Sequence, residues 1–252
     1  MNTQLILGLI PARYGSTRFP GKPLANIGGK PMIQRVYEQT KKQLNHVYVA
    51  TDDPRIEEAV KKFGGRVVMT SEKHQSGTDR CAEALTKVEK QENITFHAVI
   101  NIQGDEPFIN PTQIEAVTDC FNNPETQLAT LVKPIDNKED LFNPNKPKVV
   151  VDCSQQALFF SRSPIPYFRG LPESDWIQKH KYYNHIGLYG YRTDVLREIT
   201  KLEQSPLELT ESLEQLRWLE NGYRIQVKET LSESISIDTP EDLENLIRSG
   251  LI

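Results

Sequence analysis

Three cations stand in one short loop: Arg13, Arg18 and Lys22, set among Gly15, Ser16, Thr17, Gly21 and two prolines. The loop follows the apolar run LILGLI at 5–10, which has the length and character of a buried parallel strand. No Asp or Glu occurs before Glu38, whereas five cations do, Lys30 and Arg35 being the other two. In a chain of net charge -4, this segregation points to a local anionic ligand. Glycines let backbone N–H groups approach phosphate oxygens, and Arg and Lys neutralise them. The spacing excludes a Walker-type loop, because five residues separate Gly15 from Gly21 and Pro23, which has no hydroxyl, follows Lys22. Nor is there a G-x-G-x-x-G for a dinucleotide. The plain alternative is a solvated basic loop.

Carboxylates recur at two places. Asp105 lies in QGDEP, directly after the strand-like AVINIQ, and is placed to hold a divalent ion if that strand runs parallel to the first. The same residues are also good turn chemistry. Asp238 lies in SISIDTPED, where Pro240 suits the first turn of a helix and Asp238 or Thr239 suits its cap. Two carboxylates facing a phosphate-binding loop suit Mg²⁺, which takes few carboxylates beside phosphate oxygens and water. Other polar residues carry weaker signals. HQSGTDR at 74–80 could read a base edge or ribose, or simply cap a helix through Ser76 or Thr78. Arg162 follows a strand and offers a planar guanidinium to a carboxylate. His185 and Tyr189 share one strand face, while Glu214 and Gln215 read as the wet side of a helix.

The elements that must position these groups alternate over the first half. Strands are expected at 5–10, 46–51, 66–69 and 98–103, with helices at 31–44, 54–63, 77–92 and 112–121. Such alternation predicts a mostly parallel, Rossmann-like sheet flanked by helices. The second half breaks the pattern: strands at 128–134, 148–152, 157–161 and 186–191, a polar loop at 163–181, helices at 193–201 and 206–221, a strand at 224–228 and a helix at 240–248. We read one α/β domain over 1–252 with an antiparallel insertion at about 130–190.

Composition narrows the class further. The chain has 252 residues, 37% hydrophobic and 25% charged, enough for one sizeable core. Its pI of about 5.8 argues against general nucleic-acid binding. Neither a signal h-region nor an insertion into the membrane is expected. Three widely spaced cysteines without CxxC pairing fit thiols in a reducing, cytoplasmic setting.

Together, IPARYGSTRFPGKPL, ATDD, HQSGTDR, NIQGDEP, FNPN, FSRSPIPY, HIGLYGY, LEQLR and DTPEDLE occur in an order that resembles the 3-deoxy-manno-octulosonate (Kdo) cytidylyltransferases, over nearly the whole chain. The resemblance implies a nucleotide-diphospho-sugar transferase fold and the reaction of CTP with Kdo to CMP-Kdo and diphosphate, with Mg²⁺. It also implies a cytoplasmic homodimer serving lipopolysaccharide synthesis. Carried over by motif, Arg13, Arg18 and Lys22 hold the triphosphate, and Ser76, Gly77 and Arg80 the cytidine end. Asp105 and Asp238 ligate the metal, and Lys22 joins them as a catalytic group. Gln103, Arg162, His185, Tyr189, Glu214 and Gln215 line the sugar pocket. Alternatives are an enzyme for 8-amino-Kdo or a sialic-acid-type sugar, or a non-catalytic nucleotide-binding module.

Overall fold

The computed structural model describes residues 5–16, 18–232 and 235–248; Thr17 of the basic loop lies outside them. The chain divides into two compact units, one made of Met1–Thr118 with Ser234–Ile252, the other of Asp119–Glu233. The second unit is wider than the insertion expected at 130–190.

In the first unit, β1 (Ile6–Ala12) leads through the hairpin β2 (Asn26–Ile27) and β3 (Lys30–Pro31) into α1 (Met32–Lys41). Then follow β4 (His46–Thr51), α2 (Pro54–Lys62), β5 (Val67–Met69), α3 (Gly77–Glu92) and β6 (Ala98–Asn101). The four long strands run parallel in the order β6-β1-β4-β5. Leu7, Leu9, Ile10, Val47 and Val49 have no exposed surface, so successive residues are buried on both faces, as in a sheet covered by helices. α1 packs on β1 and β4, α2 on β4 and β5, and α3 on all four strands. After α4 (Pro111–Cys120) the chain enters the second unit, and it returns to the first with α10 (Pro240–Arg248). Ile237 and Leu246 complete a buried cluster with Ile27 and Met32.

In the second unit, β7 (Leu128–Pro134), α5 (Lys138–Phe142), β8 (Lys148–Val151) and β9 (Ala157–Ser161) precede α6 (Trp176–Lys179) and β10 (Tyr183–Arg192). Next come α7 (Thr193–Ile199), α8 (Pro206–Glu211), α9 (Gln215–Glu220) and β11 (Ile225–Glu229). β10 is antiparallel to β7 and β8, β8 to β9, while β11 is parallel to β7. A register shift between Ile186 and Tyr189 bulges β10. Two local features depart from expectation. The loop expected at 163–181 contains α6, because Trp176 buries itself with Ile135, Leu141 and Tyr182. The helix expected at 206–221 is broken at Ser212, whose φ of 51° is left-handed.

Candidate functional site

The basic loop lies at the carboxyl end of β1, and its shape depends on two glycines. Gly21, at φ 71°, donates its N–H to the Tyr14 carbonyl at 2.9 Å and lies so close that a Cβ would sit 3.1 Å from the Tyr14 ring. That closure turns Lys22 inward at the start of a single 3₁₀ turn, Lys22–Leu24. Gly104 permits the second approach, since a Cβ there would lie 2.8 Å from the Pro11 carbonyl oxygen. The QGDEP turn is thereby pressed against the end of β1.

The outcome is a cavity of about 440 Å³ lined by Arg13, Gly15, Ser16, Arg18 and Lys22, with Gly77 from α3 and Gln103, Gly104 and Asp105. The Lys22 ammonium, 15% exposed, donates to Asp105 Oδ2 at 2.6 Å and to Asp238 Oδ1 at 3.1 Å. Arg18 Nη2 reaches the same Asp238 oxygen at 3.3 Å. A backbone bond from Ile237 N–H to the Asp105 carbonyl, 3.0 Å, holds the two acidic segments side by side. The cap at the start of α10 resolves cleanly. Asp242 Oδ2 accepts from the Asp238 and Thr239 amides, and Thr239 Oγ1 accepts from Asp242 N–H. Against the opposing push of partial burial, those amides hold the Asp242 carboxyl below its ordinary pKa. The Asp238 carboxylate is therefore left for the cations. Two carboxylates converging on one cation are a donor set that Mg²⁺ accepts beside phosphate oxygens.

Ser76 caps α3, accepting from Asp79 N–H at 3.0 Å in a reciprocal capping box, so Gly77 opens the helix at the cavity wall. Burial, and then the charge of Arg80, lowers the Arg13 pKa from its ordinary value. Arg80 has no exposed surface and donates to Thr70 Oγ1 at 2.6 Å and Asp52 Oδ2 at 2.7 Å. Its guanidinium ties the ends of β4 and β5 to α3.

The second unit gathers the remaining candidates, Gln103 excepted. His185 meets Phe160 edge to face at 5.1 Å and Tyr189 at 5.2 Å; Tyr189 packs edge to face on Trp218 of α9. Burial pushes the His185 pKa down to about 4, so the ring is neutral near pH 7. Thr130 Oγ1 lies 3.2 Å from His185 Nε2 and donates its one hydrogen to the carbonyl of Ile186 or Leu188. Nε2 is then the donor to Thr130, which leaves Nδ1 as the acceptor. Gln215 is buried with Nε2 unpartnered, and the buried Tyr189 hydroxyl makes no hydrogen bond of good geometry. Burial raises the Tyr189 pKa well above its ordinary value. Glu214 sits 3.7 Å from the Arg217 guanidinium. Arg162 donates to the carbonyls of Glu211 (2.7 Å), Pro144 (2.9 Å) and Ser212 (3.3 Å). Three of its five N–H groups thus serve the fold. A separate cavity of about 430 Å³, lined by Gln127, Gln156, Arg224 and Gln226 among others, contains none of the expected residues.

Sequence reasoning missed Thr130 and Glu211, whose hydrogen-bond partners come from distant segments, and Lys148, whose burial no local pattern announces. The cap was detectable, since Thr239 and Asp242 have capping-box spacing.

Comparison with known proteins defines the class first: the family model described as Cytidylyltransferase matches residues 7–231. The chain is 60% identical over 245 residues, 96% of either chain, to the 3-deoxy-manno-octulosonate cytidylyltransferase of Parabacteroides distasonis. It is 62% identical over 240 residues, 94% of either chain, to that of Phocaeicola vulgatus. The chain belongs to the 3-deoxy-manno-octulosonate cytidylyltransferase family. A solved structure of CMP:2-keto-3-deoxy-manno-octonic acid synthetase complexed with CTP superposes with a TM-score of 0.89 at 42% identity, covering 98% of this chain and 100% of that one. A putative glucose-1-phosphate thymidylyltransferase from Bacillus anthracis shares the fold alone, with a TM-score of 0.62 at 17% identity over 95% of this chain and 93% of that one.

Proposed function

We propose that this chain joins CTP to 3-deoxy-manno-octulosonate, giving CMP-Kdo and diphosphate for lipopolysaccharide synthesis. The observation that carries the reading is Lys22, set in an acid-free basic loop and bonded to Asp105 and Asp238 at the mouth of the parallel sheet. The anomeric hydroxyl of the sugar attacks the α-phosphorus; one P–O bond forms as the α–β bond breaks and diphosphate leaves. This chemistry needs positioning and charge neutralisation and no covalent enzyme intermediate.

Arg13, Arg18 and Lys22 neutralise the triphosphate, and Gly77, set at the start of α3 by the Ser76 cap, brings the helix N-terminus to the cavity wall. Arg80 acts on this end indirectly, by fixing α3 against β4 and β5. Asp105 and Asp238 would hold Mg²⁺, which when bound supplies positive charge to the phosphates. In the second unit, His185 offers a neutral ring nitrogen to a sugar hydroxyl, while Tyr189 and Gln215 hold unspent polar groups for the same ligand. Glu214 belongs to the same set, with Arg162 keeping two N–H groups for the sugar carboxylate, while Gln103 lines the cavity of the first unit. A cytoplasmic homodimer is part of the same reading. The cytoplasmic part is supported by the three free cysteines, two of them buried. Among the described residues, no helix is long and apolar enough to cross a membrane.

The test is diphosphate release with CTP and a panel of acidic sugars. Turnover with Kdo and not with sialic acid or 8-amino-Kdo supports the reading; preference for another sugar replaces Kdo in it. Nucleotide binding without turnover of any sugar would leave a binding module. Light scattering near twice 28.8 kDa checks the dimer.

A further inference from the structure

Glu211 ends α8, and nothing in the reaction calls on it directly. Its carboxylate is nevertheless fully used. Oε1 accepts from Ser161 Oγ at 2.6 Å, and Oε2 accepts from the Arg162 N–H at 2.9 Å. Its own carbonyl accepts from Arg162 Nε at 2.7 Å, so Glu211 and Arg162 bind each other through two hydrogen bonds, with the one from Ser161 beside them.

One buried cation feels this anion. Lys148 has no exposed surface, donates to the Asn143 carbonyl at 2.8 Å, and has no carboxylate within ion-pairing distance. The charge of Glu211 supports it and that of Arg162 opposes it. The register places Lys148 opposite both Asn184 and Ser161, so the three side chains share one face of the sheet. Glu211 meets that face through Ser161.

What the cluster holds in place is backbone. Arg162 grips Pro144 and Ser212, and Ser212 is the left-handed residue that turns α8 into α9. Glu214 and Gln215 follow directly. On the other side, the segment that Lys148 and Arg162 grip at Asn143 and Pro144 runs on to Pro147, whose carbonyl receives the His185 N–H at 2.8 Å. One carboxylate thus stands behind both groups of residues read as the sugar pocket.

We infer that Glu211 is a positioning residue for the sugar acid: acting through Arg162 and Ser212, its carboxylate fixes where α9 presents Glu214 and Gln215. The inference rests on the proposed function. An amide at this position would keep both bonds only with its N–H₂ turned to Ser161 Oγ, which would then accept where it now donates, and it would remove the negative charge that supports Lys148.

The experiment is steady-state kinetics of Glu211→Gln with each substrate varied in turn, beside thermal melting. The expected result is a KM for Kdo raised about tenfold or more, with the KM for CTP within twofold of wild type. Ser161→Ala removes a single bond from the same carboxylate and is expected to move the Kdo KM in the same direction by a smaller factor. It keeps the test open should Glu211→Gln fail to fold. A folded Glu211→Gln with both KM values unchanged overturns the inference. So does a parallel loss for both substrates that tracks the fall in melting temperature, since that is ordinary destabilisation. If wild type itself fails to turn over Kdo with CTP, the proposed function falls first, and the two failures are told apart.

Discussion

Lys22 is bonded to two carboxylates and lines a cavity with Arg13 and Arg18, so its substitution tests the proposed triphosphate site. Lys22→Ala is expected to weaken CTP binding more than CMP binding, because CMP lacks the outer phosphates. One charge-assisted contact is worth about 1.5–3 kcal/mol, roughly a ten- to hundredfold change in affinity. Calorimetry with both nucleotides measures it, and equal losses would reject triphosphate recognition by Lys22. Asp105→Asn and Asp238→Asn keep size and remove charge, so each is expected to cut diphosphate release by roughly a hundredfold or more with the fold intact. Activity near wild type for both at limiting Mg²⁺ would sink their assignment as metal ligands. At this scale the sequence was informative where charge is segregated, at Arg13, Arg18 and Lys22, and where an acid directly follows a strand, at Asp105; all four line one cavity. It was less so for Arg80 and Arg162. A sequence shows that a guanidinium exists; only the folded backbone shows that carbonyls 49 and 50 residues away in the chain already occupy it.

The elements were readable where periodicity and punctuation agree. β1, β4 and α3 are long, strongly patterned and closed by turn residues, and they lie where expected. The joint between α8 and α9 was hidden, because residues 206–221 keep a helical pattern straight through Ser212 and serine does not announce a left-handed backbone. That joint yields a prediction of opposite signs. Ser212→Gly is expected to be neutral or mildly stabilising, as glycine adopts this conformation freely. Ser212→Ile should cost about 1–2 kcal/mol for forcing a β-branched residue to positive φ. Urea unfolding of the two variants checks the order, and equal stability would contradict the strained joint. α5 escaped for a different reason: five residues are too few for a period to show.

At the scale of the whole molecule, stability carries a signature of pH. The folded chain keeps His185 neutral down to about pH 4, whereas an unfolded histidine takes its proton near 6.5. The unfolded state therefore binds more protons between these values. Stability is full above about pH 6.5 and declines as pH falls toward 4, by at most about 3 kcal/mol from this group. Melting temperatures from pH 7 to 4 should show the decline, and His185→Asn should flatten it over that window. An unchanged slope in the variant would remove His185 as its cause. The division of the chain was the least legible feature. Nothing in the composition marks Asp119 as a boundary, and a unit that is left and re-entered is visible only in which residues share a core.

That re-entry has a consequence for the making of the protein. Lys22 and Asp238 are 216 residues apart, while Lys22 and Asp105 are 83 apart. At a synthesis rate of about 5–20 residues per second, the ribosome needs roughly 10–40 s to pass from Lys22 to Asp238. Once β6 has been made the four parallel strands of the first unit are all present, yet Ile27 and Met32 still await Ile237 and Leu246. The second acid arrives with the same closing segment that covers the apolar cluster. A chain cut short by premature termination therefore lacks the final acid and keeps an uncovered greasy surface, so the same fault that leaves it inactive marks it for chaperones and proteases.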